Sequence, residues 1–126
     1  MANEKEIVKK DSNLGAIRIA DEVVSIIAGL AATEVDGIAG MSGGIAGGIA
    51  EMLGRKNFAK GVKVEVGEKE AAVDLYIIVK YGVRIPDIAL AVQENVKQAI
   101  QNMTGITVAR VDVQVVGLAE HDKETN

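Results

Sequence analysis

The chain has no cysteine and no tryptophan, and among its 126 residues it has one phenylalanine, two tyrosines and one histidine. Without cysteine it forms no disulfide and offers no thiolate to a metal ion, which fits a reducing cytoplasm. Because aromatic side chains are few, Val, Ile, Leu and Ala must form the core. The one histidine, His121, lies in a polar C-terminal stretch, so the serines lack a histidine base and we predict no enzymatic activity.

Charge and hydropathy argue against further classes of protein. The net charge of −4 does not suit a general nucleic-acid binder, because phosphate contacts need clustered Lys and Arg. There is no run of about 18 apolar residues, so we expect no segment to span a membrane. Residues 1–13 are charged and lack the apolar core of a secretory signal, and a flexible N-terminus is expected there. Asp and Glu are scattered, which predicts neither a metal site nor a cofactor.

Hydrophobic periodicity predicts four strands and two helices in the order β, α, β, β, α, β. The first helix is expected to begin at Asp21, and the second has Pro86 in its first turn and Gly105 as its stop. Alternating apolar and polar residues predict strands within 16–20, 61–67, 72–83 and 107–116. The apolar stripes of the helices are Val23, Val24, Ile27, Ala28, Ala31, Val35 and Ile38, and then Ile85, Ile88, Ala89, Val92, Val96, Ala99, Ile100 and Met103.

These elements predict an α+β fold of the βαββαβ type, with a small antiparallel or mixed sheet and two amphipathic helices on one face. In the last two strands we expect Val73, Leu75, Ile77, Val79 and Tyr81, then Val111, Val113 and Val115, to face inward. One domain covers residues 14–118, and a polar tail follows at 119–126.

A glycine-rich segment, residues 37–54, interrupts this regular pattern. Its first part reads GIAGMSGGIAGGIA and carries no charge. Its Ile and Met side chains recur at helical spacing, but glycine makes a helix marginal without a partner surface. Three interpretations are open: a loop that covers the domain's own core, a contact for a partner or membrane, and a phosphate-binding loop. The third is disfavoured because the segment has no GK[ST] motif. The candidate contact residues are Met41, Ile45, Ile49, Met52 and Leu53, with the basic flank Arg55, Lys56 and Lys60.

Tyr76 and Ile78 form a second candidate, because they lie on a strand face whose neighbours are charged. Three roles are open to them: structural support or self-association, contact with a protein partner, and RNA binding. RNA-binding sheets stack bases on two or three aromatic side chains in a basic setting, whereas this face has one aromatic residue in an acidic chain.

Several runs resemble the alkaline shock (Asp/Gls-type) envelope stress response family of Gram-positive bacteria. They are IADEV, AATEVDGIAG, GVKVEVGE and YGVRIPDIA, within a similarity that covers residues 14–118. The resemblance implies a non-enzymatic cytoplasmic protein that is held near the membrane by a small integral partner and serves envelope homeostasis. It supplies no catalytic residues.

We therefore predict a scaffold or interaction protein of the envelope stress response, cytoplasmic or peripheral at the inner face of the membrane. It would act through a protein partner and could form a homo-oligomer. The alternative is a regulatory module that acts on a cytosolic enzyme, with fatty-acid synthesis as the family's indication. An RNA-binding module is third.

Overall fold

The computed structural model describes residues 6–12, 14–42 and 60–120. It confirms the predicted α+β class. In chain order the elements are β1 Glu6–Ser12, β2 Gly15–Ala20, α1 Asp21–Thr33, β3 Ile38–Met41, β4 Val62–Val66, β5 Glu70–Lys80, α2 Ile85–Thr104 and β6 Thr107–Ala119.

The main sheet is built around β5. Strand β6 pairs with β5 in parallel over its whole length, from Glu70 to Lys80. Strands β4 and β3 both pair with β5 antiparallel, β4 with its first half and β3 with its second half. Because β6 occupies one edge of β5 completely, β3 and β4 lie end to end along the other edge. The sheet is therefore mixed.

The core lies between one face of this sheet and the two helices. On β5 the side chains of Val73, Leu75, Ile77 and Val79 are fully buried, as the alternation predicts. Both helices turn an apolar stripe towards them, as predicted. The fully buried members of those stripes are Val24 and Ala28 on α1, and Val92, Val96 and Ile100 on α2.

Helix α2 begins and ends where the sequence predicts. Pro86 lies in its first turn, where a missing N–H costs nothing, and Gly105 follows its last residue in the left-handed conformation, with φ 80°. The side chain of Asn95 joins α2 to α1, because its Nδ2 donates a hydrogen bond to the Ala31 carbonyl at 2.7 Å.

The first helix is shorter than predicted. It ends at Thr33, and Ile38 belongs to strand β3 instead of the helical stripe. The reason is Gly37, whose φ of 103° is outside the range of a helix and turns the chain back towards the sheet. The strand prediction missed β3 because four residues with two small ones carry almost no alternation.

The N-terminal region also differs from the expectation of a flexible end. Glu6–Ser12 forms β1, which pairs antiparallel with β2. The predicted first strand therefore exists, but it belongs to a separate two-stranded sheet and not to the main sheet.

Five residues predicted to be inward are substantially exposed. Their positions give the reason: Val23 and Ile85 lie in the first turns of their helices, Met103 in the last turn of α2, Tyr81 just beyond β5, and Val115 next to the bulge of β6. Packing against the sheet is weakest at the ends of elements and at irregular positions. The exposed fractions are 44% for Val23, 40% for Ile85, 69% for Met103, 58% for Tyr81 and 37% for Val115.

Candidate functional site: the open sheet face and the interrupted edge strand

The face of the sheet opposite the helices is not covered by any element of the described residues. On β5 it presents the even-numbered residues from Ala72 to Lys80, which alternate with the buried ones. Register places Lys63 and Asp112 beside Asp74, and Gly40 and Gly117 beside Ile78. We call this surface the open face.

One half of the open face is charged. Arg110 donates from Nε to Oδ2 of Asp112 at 2.7 Å. This hydrogen bond is the main reason why the pKa of the Asp112 carboxyl lies below its ordinary value and the pKa of Arg110 lies above its own. Both side chains are about half exposed, so the pair orders the surface and adds little to stability.

The other half is centred on the apolar side chains of Tyr76 and Ile78 and ends at Lys80. The Lys63 ammonium lies 6.0 Å from the centre of the Tyr76 ring, which is the outer limit of a cation–π contact. Ile78 leans over Gly117, where an added Cβ would come within 3.0 Å of its side chain. On the other side of Ile78, a Cβ added to Gly40 would meet no atom of the described residues within 4 Å. Among these residues the surface beside Ile78 therefore has a hollow at Gly40.

Strands β3 and β4 behave as one strand that is interrupted opposite Tyr76. Met41 pairs with Ile77 and Val62 pairs with Leu75, so a single position of an unbroken strand would lie opposite Tyr76. Two residues share that position. Ser42 donates its N–H to the Tyr76 carbonyl at 2.8 Å, and the Gly61 carbonyl accepts the Tyr76 N–H at 2.9 Å.

Gly61 is required at this junction by close approach. Its φ is 79°, and a Cβ placed on it would lie 3.1 Å from the Tyr76 carbonyl oxygen and 3.2 Å from the Ser42 nitrogen. The chain thus leaves the edge at Ser42 and returns to the same point at Gly61.

The outer edge of β6 is partly closed by α2. The Gln101 side chain accepts the Val108 N–H at 3.0 Å, and the Gln93 side chain donates to the Val111 carbonyl at 2.9 Å. A bulge further along, between the residues paired with Ile77 and Ile78, breaks the regularity of the edge. Both features hinder the addition of another strand there.

The structure places the predicted contact residues in different surroundings. Met41 is 9% exposed and belongs to the core, which corrects its assignment to a contact surface; its register partner Ile77 faces the helices. Lys60 is half-buried in the turn before β4, and Tyr76 and Ile78 are half-buried on the open face. The remaining predicted contacts lie outside the described residues: Ile45, Ile49, Met52, Leu53, Arg55 and Lys56.

Sequence reasoning missed the role of Gly40, Gly61 and Gly117. Gly61 and Gly117 each lie next to or within an alternating strand, a pattern that is typical of bulges and close backbone approaches. That signal was present in the sequence for these two glycines but not for Gly40, whose strand has no alternation, and only the register shows which side chains the glycines lie beside.

Two features are absent from the part of the chain that the structure describes: a cluster of metal ligands and a membrane-spanning helix. No group of three or more His, Cys, Asp or Glu side chains there could hold a metal ion. Of the helices in the described ranges, neither is long and apolar enough to cross a bilayer.

Comparison with known proteins identifies the class. The family of alkaline shock protein 23, described as having a cell envelope-related function, matches residues 9–120. The chain belongs to this family, and the resemblance seen in its sequence is confirmed.

Individual relatives agree with this assignment. The uncharacterized protein YqhY of Bacillus subtilis (strain 168) is 43% identical over 109 residues, which are 86% of this chain and 81% of that protein. A stress response regulator gls24 homolog of Streptococcus pyogenes is 35% identical over 105 residues, 82% of this chain and 59% of that longer protein. A solved chain called MamM-CTD, 15% identical, covers 77% of this chain and aligns over 98% of its own length with a TM-score of 0.48, a similarity that carries no functional inference.

Proposed function

We propose that this chain is a non-catalytic interaction protein of the bacterial envelope stress response, which acts through a protein partner near the membrane. Two findings support the setting. The family has a cell envelope-related function, and several relatives are called stress response regulators.

One observation carries the proposal of a partner contact: Ser42 and Gly61 share the position opposite Tyr76. The edge of the sheet would close if one residue replaced the two. The sheet therefore has no need of residues 43–60, which are 18 residues of sequence between the two ends. Loops of more than about 12–15 residues inside compact domains are usually functional segments or linkers.

The composition of this segment indicates what it contacts. Its apolar residues Ile45, Ile49, Met52 and Leu53 are followed by Arg55, Lys56 and Lys60. Apolar side chains with a basic flank suit a partner that has an apolar groove and an acidic rim, or that lies beside anionic lipid. In this proposal the segment makes the contact and the folded domain presents it.

A photo-crosslinking experiment in cells tests the proposal. A crosslinking amino acid replaces Ile49 in one variant and Gln98 in the other. Gln98 is the matched control, because it is exposed on the outer side of α2. We expect a protein adduct from position 49 that sediments with the membrane fraction, and no such adduct from position 98.

Other outcomes of the same experiment contradict the proposal. An adduct from position 49 with a soluble enzyme favours the regulatory module instead. An adduct with RNA favours the third function. If position 49 gives no adduct, or if both positions give equal adducts, the segment does not make a specific contact.

A further inference from the structure

The open face of β5 presents, in order along the strand, Asp74, Tyr76, Ile78 and Lys80: one acidic, two apolar and one basic residue. The four side chains stay on one face because β5 has no bulge of its own. Each register shift along β5 comes from an additional residue in β3 or β6.

This order is its own complement under a two-fold rotation. Positions 74 and 80 are equally far from Ile77, and so are positions 76 and 78. If a second copy lies face to face with its β5 antiparallel, Asp74 of each copy faces Lys80 of the other. Tyr76 of each copy then faces Ile78 of the other. Face-to-face sheets lie about 10 Å apart, a gap that a lysine and an aspartate can bridge together.

The neighbouring strands fit the same rotation. On β6 the register places Asp112 beside Asp74, and Ala119 beside Lys80, so Asp112 meets an alanine and not another charge. The hollow at Gly40 lies beside Ile78 and offers room for the tyrosine ring of the second copy. Closed two-fold assembly through one self-complementary patch is the commonest form of protein oligomer.

We propose that the open face is the site where a second copy of this chain docks, with reciprocal Asp74–Lys80 ion pairs and reciprocal Tyr76–Ile78 contacts. This inference does not rest on the proposed partner contact, because it uses the face of the sheet and not residues 43–60.

The charge of the open face favours a second copy over a polyanion. Glu65, Asp74 and Asp112 lie on it together with Lys63, Lys80 and Arg110. A nucleic acid or an anionic lipid surface would meet three carboxylates among these groups. A surface that carries both signs in complementary order suits a copy of itself.

Sedimentation equilibrium of the full chain tests the proposal. We expect a concentration-dependent monomer–dimer equilibrium. Lys80→Glu should weaken it about tenfold or more, because the substitution reverses two symmetry-related ion pairs. Combining Asp74→Lys with Lys80→Glu should restore most of the loss. Lys97→Glu is the matched control, since Lys97 is exposed on α2, and it should have no effect.

A second variant tests the hollow. Gly40 has an ordinary φ, and no atom of the described residues lies within 4 Å of its Cβ position, so Gly40→Leu should fold normally and weaken the dimer at least tenfold. Circular dichroism checks that each variant is folded. A chain that stays monomeric at about 1 mM, a double charge swap that restores nothing, or a dimer indifferent to Gly40→Leu would overturn the proposal.

Discussion

Ser42 and Gly61 occupy one position of the sheet between them: the N–H of Ser42 and the carbonyl of Gly61 both bond to the backbone of Tyr76, at 2.8 and 2.9 Å. In an unbroken antiparallel strand one residue makes both bonds. Within the described residues, β3 and β4 are therefore two parts of one edge strand, and residues 43–60 lie between them in the sequence.

Two glycines near this strand should respond to substitution in opposite ways. Gly37→Ala should lower the free energy of unfolding by about 1–2 kcal/mol, because its φ of 103° strains any side chain and the new Cβ would overlap Ile88. Gly40→Ala is the matched control. It should leave stability unchanged or raise it by up to about 1 kcal/mol. Urea unfolding of the two variants checks this, and equal losses would show that Gly37 is not needed for the turn.

The buried face of α2 predicts a second difference. Val96→Asp should lower the free energy of unfolding by about 3–5 kcal/mol, because Val96 is fully buried and the new carboxylate would have no partner. A loss of this size is enough to unfold a domain of marginal stability. Gln98→Asp, two residues away on the exposed side, should change little. Thermal melts followed by circular dichroism compare them. A stable Val96→Asp variant would show that the packing of α2 is assigned wrongly.

The contact between the helices predicts a pH-dependent effect. Asn95→Asp keeps the shape of the side chain but removes the N–H that the Ala31 carbonyl accepts at 2.7 Å, and it adds a charge near Glu34. At neutral pH we expect the free energy of unfolding to be about 1–3 kcal/mol lower than that of the parent.

The loss should become smaller as the pH falls. The new carboxyl would be more stable protonated in the folded state, so its folded pKa lies above its unfolded one. Protonation below that folded pKa restores a donor, and the gap to the parent narrows in acid. Urea unfolding of the parent and the variant at pH 7 and at pH 4 measures the difference in their free energies of unfolding at each pH. A gap that widened in acid would contradict the role given to Asn95.

The fold was largely predictable from sequence because its main elements carry strong periodic signals. The alternation of apolar and polar residues predicts where β5 lies. The apolar stripe of α2, together with Pro86 at its start and Gly105 at its end, predicts where that helix lies. Strand β1 escaped prediction because its charged sequence resembles a solvated terminus. Strand β3 escaped because a four-residue strand followed by more glycine has no readable period.

The candidate site was less predictable, since it depends on register. Tyr76 and Ile78 could be identified as apolar residues on a polar face. That Gly40 and Gly117 lie on either side of Ile78 follows from pairings between residues far apart in sequence. Met41 was misassigned because its neighbours in sequence are glycine-rich, whereas its neighbours in the sheet are buried.

In the proposed function, residues 43–60 serve a partner and not the sheet. A variant in which residues 43–61 are removed and Ser42 is joined to Val62 tests this directly. Ser42 then supplies both bonds to Tyr76. We expect a folded domain of equal or higher stability, because a shorter loop costs less closure entropy.

The decisive measurement combines hydrogen exchange of this variant with its recovery of the proposed partner after chemical crosslinking in cells, which does not depend on a crosslinker at position 49. We expect β4 and β6 to keep their protection while partner recovery is lost. A variant that loses protection in β4 would contradict the single interrupted strand. A folded variant that still captured the partner would contradict the role given to the segment.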